Sequence, residues 1–337
     1  MTKPLASLSL DLDNLWSYQK THGNPEWEAL GSYFGTVVPR ILDALDEADL
    51  RMTVFVVGQD AALPKNGPAL RSIAEAGHEI GNHSFRHEPW LHLYTPVEVI
   101  DEIARAEEAI EAATGVRPRG FRGPGYSLSE TVLNVLASRG YAYDCSTFPT
   151  YIGPLARAYY FFNATLSREE RKKRGALFGN MRDGLRPLAP YRWDLGEREL
   201  IEVPLSTVPV ARIPFHFSYL HWLAEFSETL AEAYFRTALR MCRVAELEPS
   251  LLLHPLDFVG GDDVESLAFF PGMKRPAEVK LRRMDRWLGM LAKRFEVLAM
   301  GAYVAEIAER DLPFRTPDLE KSGAALDPNG FETESRL

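Results

Sequence analysis

The strongest constraint in this chain is an alternation of two periods. Short apolar runs, too brief for buried helices, recur between longer stretches with apolar residues at helical spacing. SLSLDLD (7–13) reads as a first strand, and EWEALGSYFGTVVPRILDALDEAD (26–49) follows at helical period. MTVFVVG (52–58) is too continuously apolar for a half-exposed strand and reads as a buried parallel one. LRSIAEAGHEIGNH (70–83) holds a helix and a third strand, with Gly77 placed to end the helix. PVEVIDEIARAEEAIEAATG (96–115) is the clearest helix, with Pro96 in its first turn and Gly115 just past its end. GFRGPGY, YAYDCST, LIEVPLS, SLLLHPLD and FEVLAM supply later strands. Such alternation is the pattern of βα units around a mostly parallel sheet. Each strand closes on a polar or special residue, which predicts a distorted barrel whose chemistry gathers at the C-terminal strand ends.

One stretch breaks the rhythm. Residues 151–195 run through YIGPLARAYYFFNATL, SREERKKRG and LFGNMRDGLRPLAPYRW, an insertion of aromatic and basic clusters rather than a strand–helix repeat. It reads either as a lid over the barrel mouth or as a surface, over 155–195, for peripheral contact with lipid headgroups. IPFHFSYLHWLAEF (213–226) reads as a helix on the same side, and 312–337 has the composition of a loose tail. The organisation expected is one domain over 1–311.

Composition excludes some functions. At 337 residues and a formal charge of -9, the chain has no general attraction for nucleic acid. Its two cysteines, Cys145 and Cys242, indicate neither a disulfide framework nor a cysteine-rich zinc site. The first apolar run meets Asp11 too early for a signal-peptide core, so a cytoplasmic protein, peripheral at the inner face of a membrane if the insertion docks there, is expected. No glycine-rich loop ends in Lys-Ser or Lys-Thr, so phosphoryl transfer lacks its cradle.

Polar residues at strand ends carry the functional argument. His83 and His87 stand four apart in GNHSFRHEPW, and an HxxxH pair alone is more often a pair of surface or capping residues than a pair of ligands. Asp11 and Asp13 lie at i and i+2 of an otherwise apolar strand, where two carboxylates are costly unless paired or bound to a cation. Arg122 ends the strand GFR before a Gly-Pro-Gly turn, and His254 emerges from a run of leucines. Two histidines and a carboxylate leave a coordination position open for water, the usual form of a catalytic zinc site.

These residues resemble, in order, the motifs of the polysaccharide deacetylase (NodB-like, carbohydrate esterase family 4-type) family: LDLDN, HSFRH preceded by GHEIGN, RGPGY, YAYDCST and LLLHP. The likeness spans roughly residues 5–305. Leu12 separates the two aspartates, the Asp-x-Asp form of the branch with amide and cyclic-imide hydrolases and with deformylases of lipid-linked sugars. The resemblance implies an α/β fold, a distorted (β/α) barrel of seven or eight strands. It also implies a metal-dependent hydrolase that removes an N-acyl, chiefly N-acetyl, group from a free or carrier-linked amino sugar. Asp13, His83 and His87 would bind the metal, Zn2+ first, with Co2+, Ni2+ or Mn2+ as alternatives. Asp11 would be the general base, held ionised by Arg122, and His254 the acid for the departing amine. Asp144 would orient His254 or pair with Arg122, or else cap a turn. Gly125 and Tyr126 would present an oxyanion-binding amide, and Trp16 and Trp90 would wall the pocket. The alternatives are a small-molecule amide or cyclic imide or ureide hydrolase, a deformylase of a lipid-linked sugar, and a carbohydrate-binding protein without catalysis.

Overall fold

The computed structural model describes residues 3–153, 181–270 and 272–317. Its strands are β1 (Leu5–Leu12), β2 (Thr53–Val56), β3 (Glu79–Asn82), β4 (Gly120–Phe121), β5 (Tyr143–Asp144), β6 (Tyr191–Asp194), β7 (Glu199–Glu202), β8 (Ser250–Leu253), β9 (Glu296–Leu298) and β10 (Phe314–Arg315). The helices are α1 (Leu15–His22), α2 (Phe34–Glu47), α3 (Gly58–Ala61), α4 (Gly67–Glu75), α5 (Pro96–Thr114), α6 (Glu130–Ser138), α7 (Phe217–Ala224), α8 (Glu228–Val244), α9 (Ala277–Ala292) and α10 (Met300–Ala308).

One mixed sheet runs β10-β6-β7-β5-β4-β3-β2-β1-β8, with β9 paired to the first half of β1. All pairings are parallel except β6 against β7. This is the mostly parallel α/β architecture that the alternation predicts. Among the described residues no strand ladder joins β7 to β8. The chain beyond β7 instead reaches β8 through Ser206, whose backbone N–H donates to Ser250 O at 3.0 Å. In return, the Ser250 N–H donates to Ser206 Oγ at 2.7 Å.

Strand parity sorts the core. On β1, Ala6, Leu8, Leu10 and Leu12 pack in the largest apolar cluster, with Val37 and Ile41 of α2, Leu239 of α8 and Trp287 of α9. The alternate residues Ser7, Ser9 and Asp11 face the other side and are also buried. That inner side is filled by Phe55, Tyr143, Cys145, Ile201 and Val203, and closed at the N-terminal strand ends by Met300, Tyr303 and Ile307 of α10. A third cluster lies under α5 and α6 around Phe121 and Trp193.

Local signals act as expected at α5. Thr95 forms a capping box with Glu98, Pro96 opens the helix, and Gly115 ends it at φ 76° with its N–H on Glu111 O. Gly77 likewise ends its helix at φ 80°. Two features depart from the sequence pattern. The stretch 26–49 is not one helix: Pro25–Ala29 is a 3-10 turn, Leu30 is left-handed, and α2 starts at Phe34 with Pro39 inside it. The helix α1 was not expected, because it has no apolar stripe; Asn14 caps it and Gly23 ends it. Within 151–195, residues 154–180 lie outside the described residues, and Tyr191–Asp194 is strand β6. Residues 318–337 also lie outside them, whereas Phe314 and Arg315 pair with β6. Among the described residues no helix is long and apolar enough to cross a membrane.

Candidate active site

Parallel strands bring their C-terminal ends to one edge, and the polar residues converge there. Asp11 ends the inner face of β1 with Asp13 just beyond it; His83 follows β3, Arg122 follows β4, and His254 follows β8. His83 Nε2 lies 3.7 Å from Asp13 Oδ1 and 4.0 Å from Asp11 Oδ2, while His87 Nε2 lies 2.9 Å from Asp13 Oδ1. One ligand atom from each of Asp13, His83 and His87 falls within 4.8 Å of the others.

The chemistry of this set follows from what holds it. The Nδ1–H of His83 donates to Arg122 O at 2.7 Å, so the Nε2 lone pair faces the carboxylates. The loop to His87 is tied down on both sides. Gly58 and Gln59 at the start of α3 donate backbone N–H groups to Ser84 O and Phe85 O, each at 2.9 Å. From α5, the buried Glu102 accepts the Phe85 and Arg86 N–H groups at 3.0 and 2.9 Å. Held this way, Ser84 and His87 adopt left-handed φ values of 61° and 55°, a conformation non-glycine residues rarely take. Gly58 is required where α3 meets α5, since a Cβ there would stand 2.6 Å from Ala106 Cα.

Charge is distributed unevenly in this buried cluster. Burial pushes the Asp13 carboxyl up, but His87, His83 and His254 outweigh it and hold it at about 2. Burial leaves His83 below the ordinary histidine range, whereas at His87 the Asp13 contact outweighs burial and raises it. Asp13, His83 and His87 thus offer a carboxylate and two imidazoles, a donor set that suits a divalent ion such as zinc. Asp11 is held separately: Arg122 Nη1 donates to its Oδ1 at 2.7 Å. Arg122 itself is fully buried, donates Nε to Cys145 O at 3.1 Å, and lies 4.5 Å from the Phe55 ring centroid.

His254 sits in a small relay. Its Nδ1 meets Ser218 Oγ at 3.1 Å, Ser218 Oγ donates to Asp257 Oδ1 at 2.9 Å, and Asp257 Oδ2 accepts the His254 backbone N–H at 2.8 Å. With the serine hydrogen on Asp257, the Nδ1 of His254 is the donor to Ser218, which leaves Nε2 free to take and give a proton.

Several expected residues are placed differently. Strand parity turns Asp144 away from the cluster, because its neighbours Tyr143 and Cys145 fill the inner face. Asp144 accepts Ser146 Oγ and N–H at 2.7 and 3.2 Å and stands opposite Glu202 on β7, so it hydrogen-bonds neither His254 nor Arg122. Trp16 is fully buried and stands behind His87. Its Nε1 donates to Asp60 Oδ1 at 2.9 Å, and its ring meets His87 edge-on at 6.4 Å. Trp90 is half-buried. Tyr126 has φ 62°, and its N–H already donates to Gly123 O at 2.9 Å, so it is not a free oxyanion donor in this conformation. The exposed Gly125 packs against the histidine loop, where a Cβ would come 2.9 Å from Pro89 Cβ.

The fold also assembles residues with no sequence motif. Asp60, just past β2, accepts Asn14 at 2.6 Å as well as Trp16, and burial lifts its carboxyl to about 6. The only trace of it in the sequence is an acid two residues after the glycine that ends VFVVG. An aromatic wall runs from Tyr126 to Phe148 (4.8 Å between centroids) to His216 (5.4 Å) to Tyr219 (6.5 Å).

Residues 30–143 match the sequence profile of the family described as Polysaccharide deacetylase, a span that includes His83, His87 and Arg122 but not Asp11, Asp13 or His254. A peptidoglycan deacetylase of Helicobacter pylori is 27% identical over 146 residues, 42% of this chain and 49% of that protein. A peptidoglycan-N-acetylglucosamine deacetylase of Bacillus cereus is 33% identical over 95 residues, 28% of this chain and 34% of that protein. The chain thus matches less than half the length of either. A crystal structure of a candidate polysaccharide deacetylase from Mycobacterium smegmatis aligns with a TM-score of 0.60 at 21% identity, covering 94% of this chain and 98% of that one. That likeness concerns the fold.

Proposed function

Since this chain is a NodB-like member of the polysaccharide deacetylase family, we propose that it is a metal-dependent hydrolase that removes an N-acetyl group from an amino sugar. The observation that carries the reading is the pair of separate carboxylates at the end of β1: Asp13 grouped with His83 and His87, and Asp11 apart from them on Arg122. A divalent ion held by Asp13, His83 and His87 would acidify water and polarise the acyl carbonyl.

The remaining steps belong to the chain's own groups. Asp11, oriented by Arg122, accepts the proton of the attacking water. Arg122 fixes the position of that carboxylate, its Nη1 donating to Asp11 Oδ1. His254, with Nδ1 engaged by Ser218, delivers a proton from Nε2 to the departing amine. The Asp60–Trp16 pair packs behind His87 and keeps its ring from turning away.

The test is acetate release from N-acetylglucosamine oligosaccharides by zinc-loaded protein, with and without chelator. Loss of turnover on chelation, and retention of zinc with loss of turnover in Asp11→Asn, are the expected results. A rate indifferent to chelator sinks the reading, an Asp11→Asn protein as active as the wild type removes Asp11 as the base, and binding of the oligosaccharide without acetate release reduces the reading to carbohydrate binding. A substrate panel scored for acetate, formate and ammonia separates the sugar deacetylase from a lipid-linked deformylase and from an imide or ureide hydrolase. Peripheral contact with the inner face of a membrane through 155–195 is part of this proposal; residues 154–180 lie outside those described. Unchanged membrane partition after neutralising Arg171, Lys172, Lys173 and Arg174 would remove it.

A further inference from the structure

His216 is 1% exposed, yet among the described residues its Nε2 has no hydrogen-bond partner. Its other ring nitrogen is engaged, since the backbone N–H of Leu252 donates to His216 Nδ1 at 3.3 Å. An accepting nitrogen carries the lone pair, so the proton of the neutral ring is on Nε2. The ring stays neutral because burial, with His254 and Arg122 adding to it, pushes its pKa down to about 3. The outcome is a permanent N–H donor, desolvated and facing no acceptor, an unfavourable state that packing alone would select against.

A structural role accounts for only half of the ring. On the side of β8 away from β1, successive N–H groups find substitutes for a missing strand: Ser250 N–H goes to Ser206 Oγ and Leu252 N–H to His216. An asparagine at 216 would present an oxygen where Nδ1 stands and serve that purpose as well. What it would lack is the second nitrogen.

The surroundings say what that nitrogen is for. His216 caps the start of α7, two residues before the Ser218 that engages His254. Its ring joins the aromatic wall between Phe148 and Tyr219, and Tyr219 is 37% exposed. We propose that His216 Nε2–H is a substrate-binding donor, given to a ring or hydroxyl oxygen of the sugar on the His254 side of the scissile amide. Rotation of Tyr219, the most exposed ring of that wall, gives the sugar access. The inference deepens the deacetylase reading and rests on it for the identity of the ligand. A buried donor of this kind selects strongly for a partner oxygen, because an analogue without one leaves the donor unpaired.

Two isosteric changes separate the roles of the two nitrogens. His216→Asn keeps an acceptor for Leu252 and loses the Nε2 donor; His216→Gln places an amide near the Nε2 position and loses the acceptor. Each zinc-loaded full-length variant is compared with the wild type for melting temperature and for acetate release from chitotetraose and from 4-nitrophenyl acetate, an ester without sugar oxygens. The expected result for His216→Asn is an unchanged melting temperature and a kcat/KM on chitotetraose about 10- to 100-fold lower, with a much smaller loss on the ester. His216→Gln is expected to melt lower and to recover part of the chitotetraose rate. Equal losses on the two substrates, or a His216→Asn protein as active as the wild type, would overturn the proposal. If the wild type releases no acetate from chitotetraose, the deacetylase reading fails first, and calorimetric binding of chitotetraose then decides about His216. Weaker binding by His216→Asn upholds the donor; equal binding, or none by the wild type, overturns it.

Discussion

At the N-terminal end of the strand interior, Glu79 has both oxygens filled. Tyr143 Oη donates to Oε1 at 2.9 Å, and Thr53 Oγ1 and the Gly301 N–H donate to Oε2 at 2.5 and 2.7 Å. At the C-terminal end, Asp60 Oδ2, Ser84 Oγ, Arg122 Nη2 and His216 Nε2 are buried with no hydrogen-bond partner among the described residues, whereas towards the N-terminal end of β1 Ser7 Oγ is in that state. Both ends are polar, and both are built on the same parallel strands. The difference is that one end is closed by α10, whose first turn supplies a donor, while the other is left to loops that hold their side chains without saturating them. A buried unpaired polar group costs about 1–3 kcal/mol, so several together mark a place where stability has been given up for a ligand.

The sharpest way to break this contrast is to remove a ligand at the open end. His87→Ala should lower zinc affinity and acetate release by about 10^3-fold while leaving the melting temperature of the metal-free protein nearly unchanged. A fall in metal-free stability as large as that of a closed-end variant would erase the distinction. The reverse experiment is Glu79→Ala, which strands the Thr53, Tyr143 and Gly301 donors. Urea unfolding should show a loss of about 3 kcal/mol, with the turnover of the folded fraction retained. Gly301→Ala tests the same closure by crowding, because its Cβ would come 2.4 Å from Glu79 Oε1; a loss of about 1–3 kcal/mol is expected in the same assay.

Smaller effects sharpen the picture. Ser218→Ala should cut acetate release about 10-fold and shift the pH profile of kcat, by freeing His254 Nδ1 from its partner, with no change in zinc content. An unshifted profile would confine Ser218 to packing. Acid stability gives the mildest test. Burial holds His78 at about 4 and His216 at about 3, below the ordinary value of 6.5, so the unfolded chain takes up these protons first. Stability is therefore full above about pH 6.5 and falls as the pH drops towards 4 and then 3, by up to about 1.4 kcal/mol per pH unit for each ring. His78→Gln should flatten the upper part of that decline in urea titrations, and an unaltered slope would count against a neutral buried His78.

Much of the fold was legible because the signals are local. The alternation of SLSLDL along β1 and the capping residues around α5 act within a few positions of where they are read. The stretch 26–49 misled because helical spacing runs on across left-handed Leu30, where the chain turns before α2, and α1 was silent because it has no apolar stripe and its cap residue, Asn14, is anchored to the distant Asp60. The site was legible to the extent that its residues end strands. Asp11, Asp13, His83, Arg122 and His254 could be placed at one edge from that position alone, whereas Asp60, Asp257 and His216 reach it from loops and turns that carry no motif.

What the amino-acid order determined by itself is the set of βα units and the polar residues at their C-terminal ends, because strand period, helix period and caps are short-range properties. Only the assembled sheet decided which of those residues meet. Parity sent Asp144 outward, packing sealed Trp16 behind His87, and the gap between β7 and β8 drew in His216. Such outcomes depend on which strand lies beside which and on what water can no longer reach, and both are set by contacts between residues hundreds of positions apart.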